Sequence, residues 1–340
     1  MDKIGVGIIG GGAVGYEHIQ NYQTSEHANV LAVVTRTEAH AKLAAEKFDI
    51  ESWYTDYKDL LKRDDINAVS ICTPNFLHAK MVIDAARAGK HIICEKPLAT
   101  TMEEADKMIK VAREANVFLM NPSHQRFVPV LENVKAVLDL LGTITFVRYR
   151  FAHEGPYKHW GAISEDKWFF NEEKAGGGVL LDLGPHALDL LDWYFGEVDK
   201  VQSALLNTFE KPTKVEDNAI LLLKFKSGII AELDTSWVSH PPFNEFQIYG
   251  TKGTIKVDIW ERSPIKIMPK KLKRNEKIKE LSFKDVLRQI SVSKQKMLHY
   301  FVDCVRNNKE PEMTGEIGRK ILQVILAGYE SAKTNSPIIL

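Results

Sequence analysis

The sequence is short of several things, and each shortage closes a class of function. Only three cysteines occur in 340 residues, Cys72, Cys94 and Cys304. They are too few and too scattered for a disulfide framework, and no two share metal-ligand spacing, so no metal site is expected. Cys72 and Cys94 close apolar runs, where cysteine behaves as a small buried hydrophobe. No apolar stretch approaches the roughly 20 residues needed to cross a bilayer. The opening MDKIGVGIIG has no basic region followed by a cleavable apolar segment, so the expected location is the cytoplasm, with no membrane partner. Net charge is also missing. Lysine plus arginine and aspartate plus glutamate each number 45, which gives no electrostatic reason to expect nucleic acid as a partner. A small molecule is the expected partner.

What is present is an ordinary globular composition, 44% hydrophobic and 26% charged, in a chain longer than one core usually organises. Up to about residue 122, short β-branched runs alternate with stretches of helical period, the pattern of consecutive βαβ units. Strands are expected at 4–9, 30–34, 68–71, 91–94 and 118–120, and helices at 39–48, 79–88 and 102–115. Gly89 stands where a helix C-cap belongs, and Thr101 with Glu104 fits a capping box. After Asn121-Pro122 come longer strand candidates: TITFVRYRF, KVQSALLN, NAILLLKF, GIIAELDTSWV, FNEFQIYG and GTIKVDIW. The expected architecture is α/β: a doubly wound Rossmann domain at 1–122, then an α+β domain at 123–340 with a mostly antiparallel open sheet. One helix is expected near 185–194. The lysine-rich stretch 264–280 reads as a solvated loop or hairpin tip.

The first strand runs into GVGIIGGGAVG at 5–15, which sets Gly10, Gly12 and Gly15 at G-x-G-x-x-G spacing, with Ala13 and Val14 opening the next helix. Gly10 permits the tight turn, Gly12 lets backbone approach a pyrophosphate, and Gly15 lets helix pack on strand. The helix N-terminus then offers unpaired N–H groups to phosphates. Dinucleotide sites that prefer NAD commonly carry an acid at the end of the second strand. This chain reads VVTRTE there, placing Thr35 and Arg36 in that position. An arginine can pair with a 2′-phosphate, so NADP is favoured over NAD by a narrow margin; the alternative leaves Arg36 solvated and gives the ribose to Glu38.

IICEKPL at 92–98 ends a buried strand on Glu95, Lys96 and Pro97. Open α/β sheets deliver functional residues at the carboxyl ends of their strands, so Lys96 is placed beside the nicotinamide half of a bound dinucleotide. With CTPNFLHAKMVIDAARAGKHIICEKPLA at 72–99, GIIGGGAVGYEHI near the start, NPSHQRFVP at 121–129 and AGGGVLLDLGPHALDLLDWYFG at 175–196, the chain resembles the Gfo/Idh/MocA oxidoreductases over its whole length. That resemblance implies a two-domain dehydrogenase whose active site lies between the Rossmann domain and the open face of a C-terminal sheet. It also implies homodimers or homotetramers formed through the second domain.

The same resemblance makes Lys96, Asp182 and His186 the catalytic residues. It places Thr73, Pro74, Asn75 and His78 along the cofactor, with Glu95 and Lys96 at the nicotinamide and Arg126 near the site. Chemistry agrees with the assignment: histidine exchanges a proton near neutral pH, and a lysine can hold a developing alkoxide. Asp182, four residues before His186 and just ahead of Pro185, is expected at or just before the helix N-terminus; it orients the imidazole, holds a substrate hydroxyl or merely caps the helix. Gly176 to Gly178 are expected to let backbone pass close to substrate or cofactor. Trp160, Trp168, Phe169 and Phe170 could stack on a sugar ring. Arg148, Arg150, His153 and His159 could meet an anionic group and are not assigned to the site.

The expected activity is hydride transfer between a nicotinamide cofactor and a secondary alcohol or ketone of a sugar, cyclic polyol or sugar derivative. Two alternatives are a glycosidase that oxidises its substrate transiently with bound NAD, and a non-catalytic regulator that senses the cofactor.

Overall fold

The computed structural model describes residues 3–158, 167–209, 214–261, 264–269, 279–281 and 286–340. The chain divides into two compact units, and not at a single cut: 1–124, 174–176 and 294–322 form the first, and 125–173, 177–293 and 323–340 the second.

The first unit is built on a six-stranded sheet of β1 (Ile4–Ile9), β2 (Ala28–Val34), β3 (Ser52–Tyr54), β4 (Ala68–Ile71), β5 (His91–Cys94) and β6 (Leu119–Met120), in the order β3-β2-β1-β4-β5-β6. Every neighbouring pair is parallel. The strand order reverses between β1 and β4, where a doubly wound sheet opens its binding crevice. Connecting helices include α1 (Ala13–Gln23), α2 (Glu38–Phe48), α3 (Tyr57–Leu61), α4 (His78–Arg87) and α5 (Met102–Glu114). β3 and α3 escaped the sequence reading because three and five residues are too short to establish a period.

Local signals work largely as expected. Gly89 takes φ +72° just past α4. The Thr101 side chain accepts from Glu104 N–H at 3.2 Å, but the Glu104 carboxylate reaches back one residue further than a capping box requires, to the N–H and hydroxyl of Thr100. Residues 294–322 return to this unit through Lys294, paired with Glu17 at 2.8 Å, and through Arg113 paired with Glu316 at 2.8 Å.

The second unit carries a nine-stranded sheet. Its strands are β7 (Ile144–Ala152), β8 (Val198–Asn207), β9 (Asn218–Phe225), β10 (Ile230–Ser236), β11 (Phe243–Gly250), β12 (Gly253–Asp258), β13 (Ile265–Pro269), β14 (Lys279–Leu281) and β15 (Ile338–Ile339), in the order β14-β13-β12-β11-β7-β10-β9-β8-β15. All six strand candidates are there. Pairing is antiparallel except between β7 and β10, which run parallel at the middle of the sheet.

Alternation sorts the two faces. Val147, Tyr149, Leu221, Leu223, Ala231, Leu233, Phe246 and Ile248 are buried on one face, and the helix Val179–Phe195 packs across β7, β9 and β10. That helix starts six residues before the expected 185. Pro185 sits inside it, in the second turn, where its nitrogen has no hydrogen to donate. Of the lysine-rich stretch, 270–278 lies outside the described residues, while 265–269 and 279–281 form paired strands.

Candidate active site

At the end of β1, Gly10 adopts φ +113°, a region that costs a side-chain-bearing residue dearly. A Cβ on Gly15 would stand 1.9 Å from the Gly10 carbonyl oxygen, so α1 can approach the turn only with glycine there. Gly12 differs from both, since a Cβ built on it would meet nothing within 4 Å. It is the N-cap residue of α1, with no side-chain cap and no acid in the first turn, and it leads into exposed Ala13 and Val14. An eleven-residue helix whose first N–H groups have no side-chain acceptor, reached through open space over a glycine, fits a pyrophosphate.

At the end of β2, Thr35 is buried and its hydroxyl donates to the Thr37 carbonyl at 2.9 Å. Thr37 in turn caps α2, and Arg36 between them is exposed. The nearest acid, Glu38, forms an i,i+4 ion pair with Lys42 at 2.7 Å.

The end of β4 meets the glycine turn directly, because a Cβ on Gly10 would lie 2.4 Å from the Cys72 oxygen and 3.3 Å from the Thr73 methyl. Pro74 follows, and Asn75 spends its amide on the Ala175 carbonyl at 2.8 Å, holding 174–176 to this unit. His78 is buried, with Nδ1 2.9 Å from the Pro97 oxygen and Nε2 2.9 Å from the Thr73 oxygen. Burial pushes its pKa down, against the pull of the two carbonyls. The neutral imidazole has one N–H, so it donates to one of these two carbonyls and lies against the other, between the β4 exit and the β5 exit.

Lys96 stands at the end of β5, half-buried, in a backbone pinned on both sides. Glu95 N–H donates to the Ile71 carbonyl at 3.0 Å, the Cys94 carbonyl accepts from the Asn121 amide at 2.9 Å, and the Lys96-Pro97 peptide is cis. Burial pushes the Glu95 carboxyl up, but the His18 hydrogen bond and charge, with Lys96 and Lys294, outweigh it and bring it down to about 2. The first unit therefore brings together Gly10, Gly15, Thr73, His78, Glu95 and the Lys96 backbone.

In the second unit, the start of helix Val179–Phe195 depends on Glu216, a residue the sequence reading missed. Its carboxylate accepts from Gly178 N–H at 2.9 Å, Leu180 N–H at 3.0 Å and the Tyr329 hydroxyl at 2.8 Å, while its backbone oxygen takes Val179 N–H at 2.9 Å. One residue caps the helix. Burial pushes its carboxyl up, against the pull of these donors.

Asp182 lies inside the first turn rather than at or before the N-terminus, and it is not the cap. Its carboxylate accepts from the Trp237 indole N–H at 3.0 Å, a second long-range contact that no local pattern marks. Between Val179 and Leu191 every residue is buried except His186, one turn after Asp182 on the same face and 6.3 Å from the Phe151 ring. Gly177 and Gly178 do make a close approach, but to the protein itself: a Cβ would meet the Tyr329 hydroxyl at 2.1 Å and the Glu216 oxygen at 1.9 Å.

Other candidates are engaged elsewhere. Arg126 forms a buried bidentate pair with Asp189 at 2.7 and 2.8 Å. Arg148 pairs with Glu232, and Arg150 with Asp234 and Glu245, along the sheet. Trp168 stacks on Phe169, and Phe170 on Tyr157. His159 and Trp160 lie outside the described residues. Among the described residues, no three His, Cys, Asp or Glu side chains gather as metal ligands, and no helix is long and apolar enough to cross a membrane.

Comparison with known proteins shows the family. Residues 4–122 match the oxidoreductase family with an NAD-binding Rossmann fold, and 133–256 match the Gfo/Idh/MocA C-terminal domain. Levoglucosan dehydrogenase of Pseudarthrobacter phenanthrenivorans is 30% identical over 304 residues, covering 78% of this chain and 76% of that protein. Myo-inositol 2-dehydrogenase of Thermotoga maritima is 26% identical over 336 residues, covering 97% and 95%. A solved levoglucosan dehydrogenase, in complex with NADH and levoglucosan, shares the fold with a TM-score of 0.89 at 24% identity, covering 99% of each chain. The glycine turn, the EKP strand end and both matched regions place one conclusion beyond the geometry alone: the chain belongs to the Gfo/Idh/MocA oxidoreductase family.

Proposed function

We propose that the protein is a cytoplasmic NAD(P)-dependent dehydrogenase or reductase that interconverts a secondary alcohol and its ketone on a sugar, cyclic polyol or sugar derivative. The observation that carries the reading is the delivery of Lys96 by β5, two strands from the glycine turn that ends β1, in a backbone held rigid by His78, Asn121 and Glu95. A nicotinamide cofactor held at the glycine turn would supply or accept the hydride. Lys96 hydrogen-bonds the reacting oxygen and stabilises alkoxide character there, a term worth several kcal/mol in general. His186, the one residue between Val179 and Leu191 that is not buried, takes or returns the hydroxyl proton. Asp182, oriented by Trp237, holds the imidazole or a substrate hydroxyl. The relatives are named as dehydrogenases, so neither the glycosidase nor the sensing regulator gains support from them.

NADP is the proposed preferred cofactor, because β2 ends on an exposed arginine and Glu38 is engaged with Lys42. The test is to titrate the protein with NADP and NAD, then follow reduced-cofactor absorbance over levoglucosan, myo-inositol and a wider sugar and polyol panel. No turnover of any alcohol or carbonyl would sink the reading. Arg36→Ala is expected to weaken NADP binding about 10-fold and leave NAD within about 2-fold, as the loss of one charge-assisted contact to phosphate predicts. Equal effects on both cofactors would return Arg36 to solvent.

A homodimer or homotetramer through the second unit is part of the same proposal. The sheet face turned away from helix Val179–Phe195 exposes Leu205, Ile220, Leu222 and Ile230 beside the arginine–carboxylate pairs of β7, β10 and β11. Exposed apolar residues on one sheet face suit an association surface. Light scattering that gave a monomer mass across the micromolar range would exclude it.

A further inference from the structure

α1 does more than end the glycine turn. His18, one turn beyond Gly15, points into the sheet and is buried. Its Nε2 lies 3.0 Å from Glu95 Oε1 and its Nδ1 3.1 Å from Ser70 Oγ on β4, and Ser70 Oγ is 3.0 Å from the Tyr22 hydroxyl, again on α1. Four buried or half-buried groups from three elements form one unbroken chain. The Glu95 carboxylate can only accept, so His18 carries hydrogen on Nε2 whichever its charge. In the neutral ring, Nδ1 then accepts from Ser70, and Ser70 accepts from Tyr22, so every polar atom in the chain is used. The far oxygen of Glu95, Oε2, faces the backbone N–H of Lys96 at 3.3 Å.

We propose that His18 is a positioning residue for Lys96: through Glu95 it couples the helix that follows the dinucleotide turn to the strand end that carries the lysine. The inference rests on the proposed role of Lys96. Its physical content is that a half-buried carboxylate with no partner is costly, and that one with a fixed partner holds its neighbour's backbone still. Besides His18, the ionisable groups that bear on Glu95 are Lys96 itself, Lys294 from helix Val286–Arg306, and Cys72, Cys94, Tyr22, His78 and His124 around it. Lys294 is already paired with Glu17 of α1. Without His18, burial dominates at Glu95 and its carboxyl titrates at higher pH.

The test uses the full chain labelled with [6-13C]lysine, with the Lys96 signal assigned by its absence from Lys96→Met. His18→Leu is expected to move or broaden the Lys96 signal, and His18→Gln, whose amide N–H reaches towards Glu95, to restore it. With the best panel sugar, His18→Leu is expected to lose between about 10-fold and 100-fold in kcat at pH 7, the scale of a small misplacement of a catalytic group. NADPH affinity should stay within about 2-fold. Glu95→Gln removes the charge at nearly constant size and should reproduce the lysine shift even if His18→Leu folds poorly. A Lys96 signal unchanged in His18→Leu and Glu95→Gln overturns the inference. Should the signal move while Lys96→Met turns over normally, the coupling stands and the catalytic reading of Lys96 falls.

Discussion

Lys96→Met is expected to lower turnover by about 10²- to 10³-fold while leaving NADPH affinity within about 2-fold of the parent protein. Methionine keeps the length and apolar stem of lysine and removes only the ammonium, so β5 and its pinned exit should be undisturbed. The carbonyl of Pro97 remains bonded to His78, that of Cys94 to Asn121, and the Glu95 N–H to Ile71, and none of these contacts uses the lysine head group. What disappears is the donor for an oxygen that gains charge as hydride leaves. The loss therefore belongs in kcat, with KM and cofactor binding nearly constant. Stopped-flow absorbance of the reduced cofactor gives the rate, and quenching of protein fluorescence by NADPH gives the affinity. Turnover unchanged in Lys96→Met would reduce the lysine to a structural partner of Glu95. Lys96→Arg is not expected to rescue, since a planar guanidinium presents its donors in a different place.

How much of this could be read before folding depends on the range of the interaction. Glycine spacing, the acid-free end of β2 and the EKP strand end are local, and 3-2-1-4-5-6 strand order follows from alternating βα units with right-handed crossovers. The six long strands of the second unit announced themselves by alternation, since one face is buried and the other is not. The helix start was misread because the pattern near Pro185 looks like an N-terminus, whereas the group that starts the helix is 38 residues downstream at Glu216. No periodicity marks such a partner. Trp237 on Asp182 and His18 on Glu95 are hidden for the same reason, although His18 left a trace: it is a polar residue on the face of α1 that also buries Gly15, Ile19 and Tyr22. Arg126 drew attention as a charged residue in a motif, and the structure gives it a buried partner in Asp189 that only the folded helix supplies.

Glu216→Ala is expected to cost about 3 to 5 kcal/mol of stability in the second unit, enough to shift its urea midpoint visibly. Two backbone N–H groups, at Gly178 and Leu180, and the hydroxyl of Tyr329 all end on the Glu216 carboxylate, in a place where Gly177 and Gly178 pass too close to Tyr329 and Glu216 for any side chain of their own. Alanine leaves those donors without an acceptor, and the packing is too tight for the chain to close over the gap. Deleting one side of a satisfied buried pair is the costly case, because each stranded donor carries its full desolvation penalty. Tyr329→Phe removes one donor and keeps the acceptor, so it should cost only about 1 kcal/mol. The functional consequence follows from position. Asp182 stands in the turn that Glu216 holds, with His186 one turn further, so a frayed start loosens the Trp237 contact and turnover falls in Glu216→Ala even at temperatures where the protein remains folded. A Glu216→Ala protein with parental stability and parental kcat would mean that the helix starts without its cap, and that Asp182 owes its orientation to Trp237 alone.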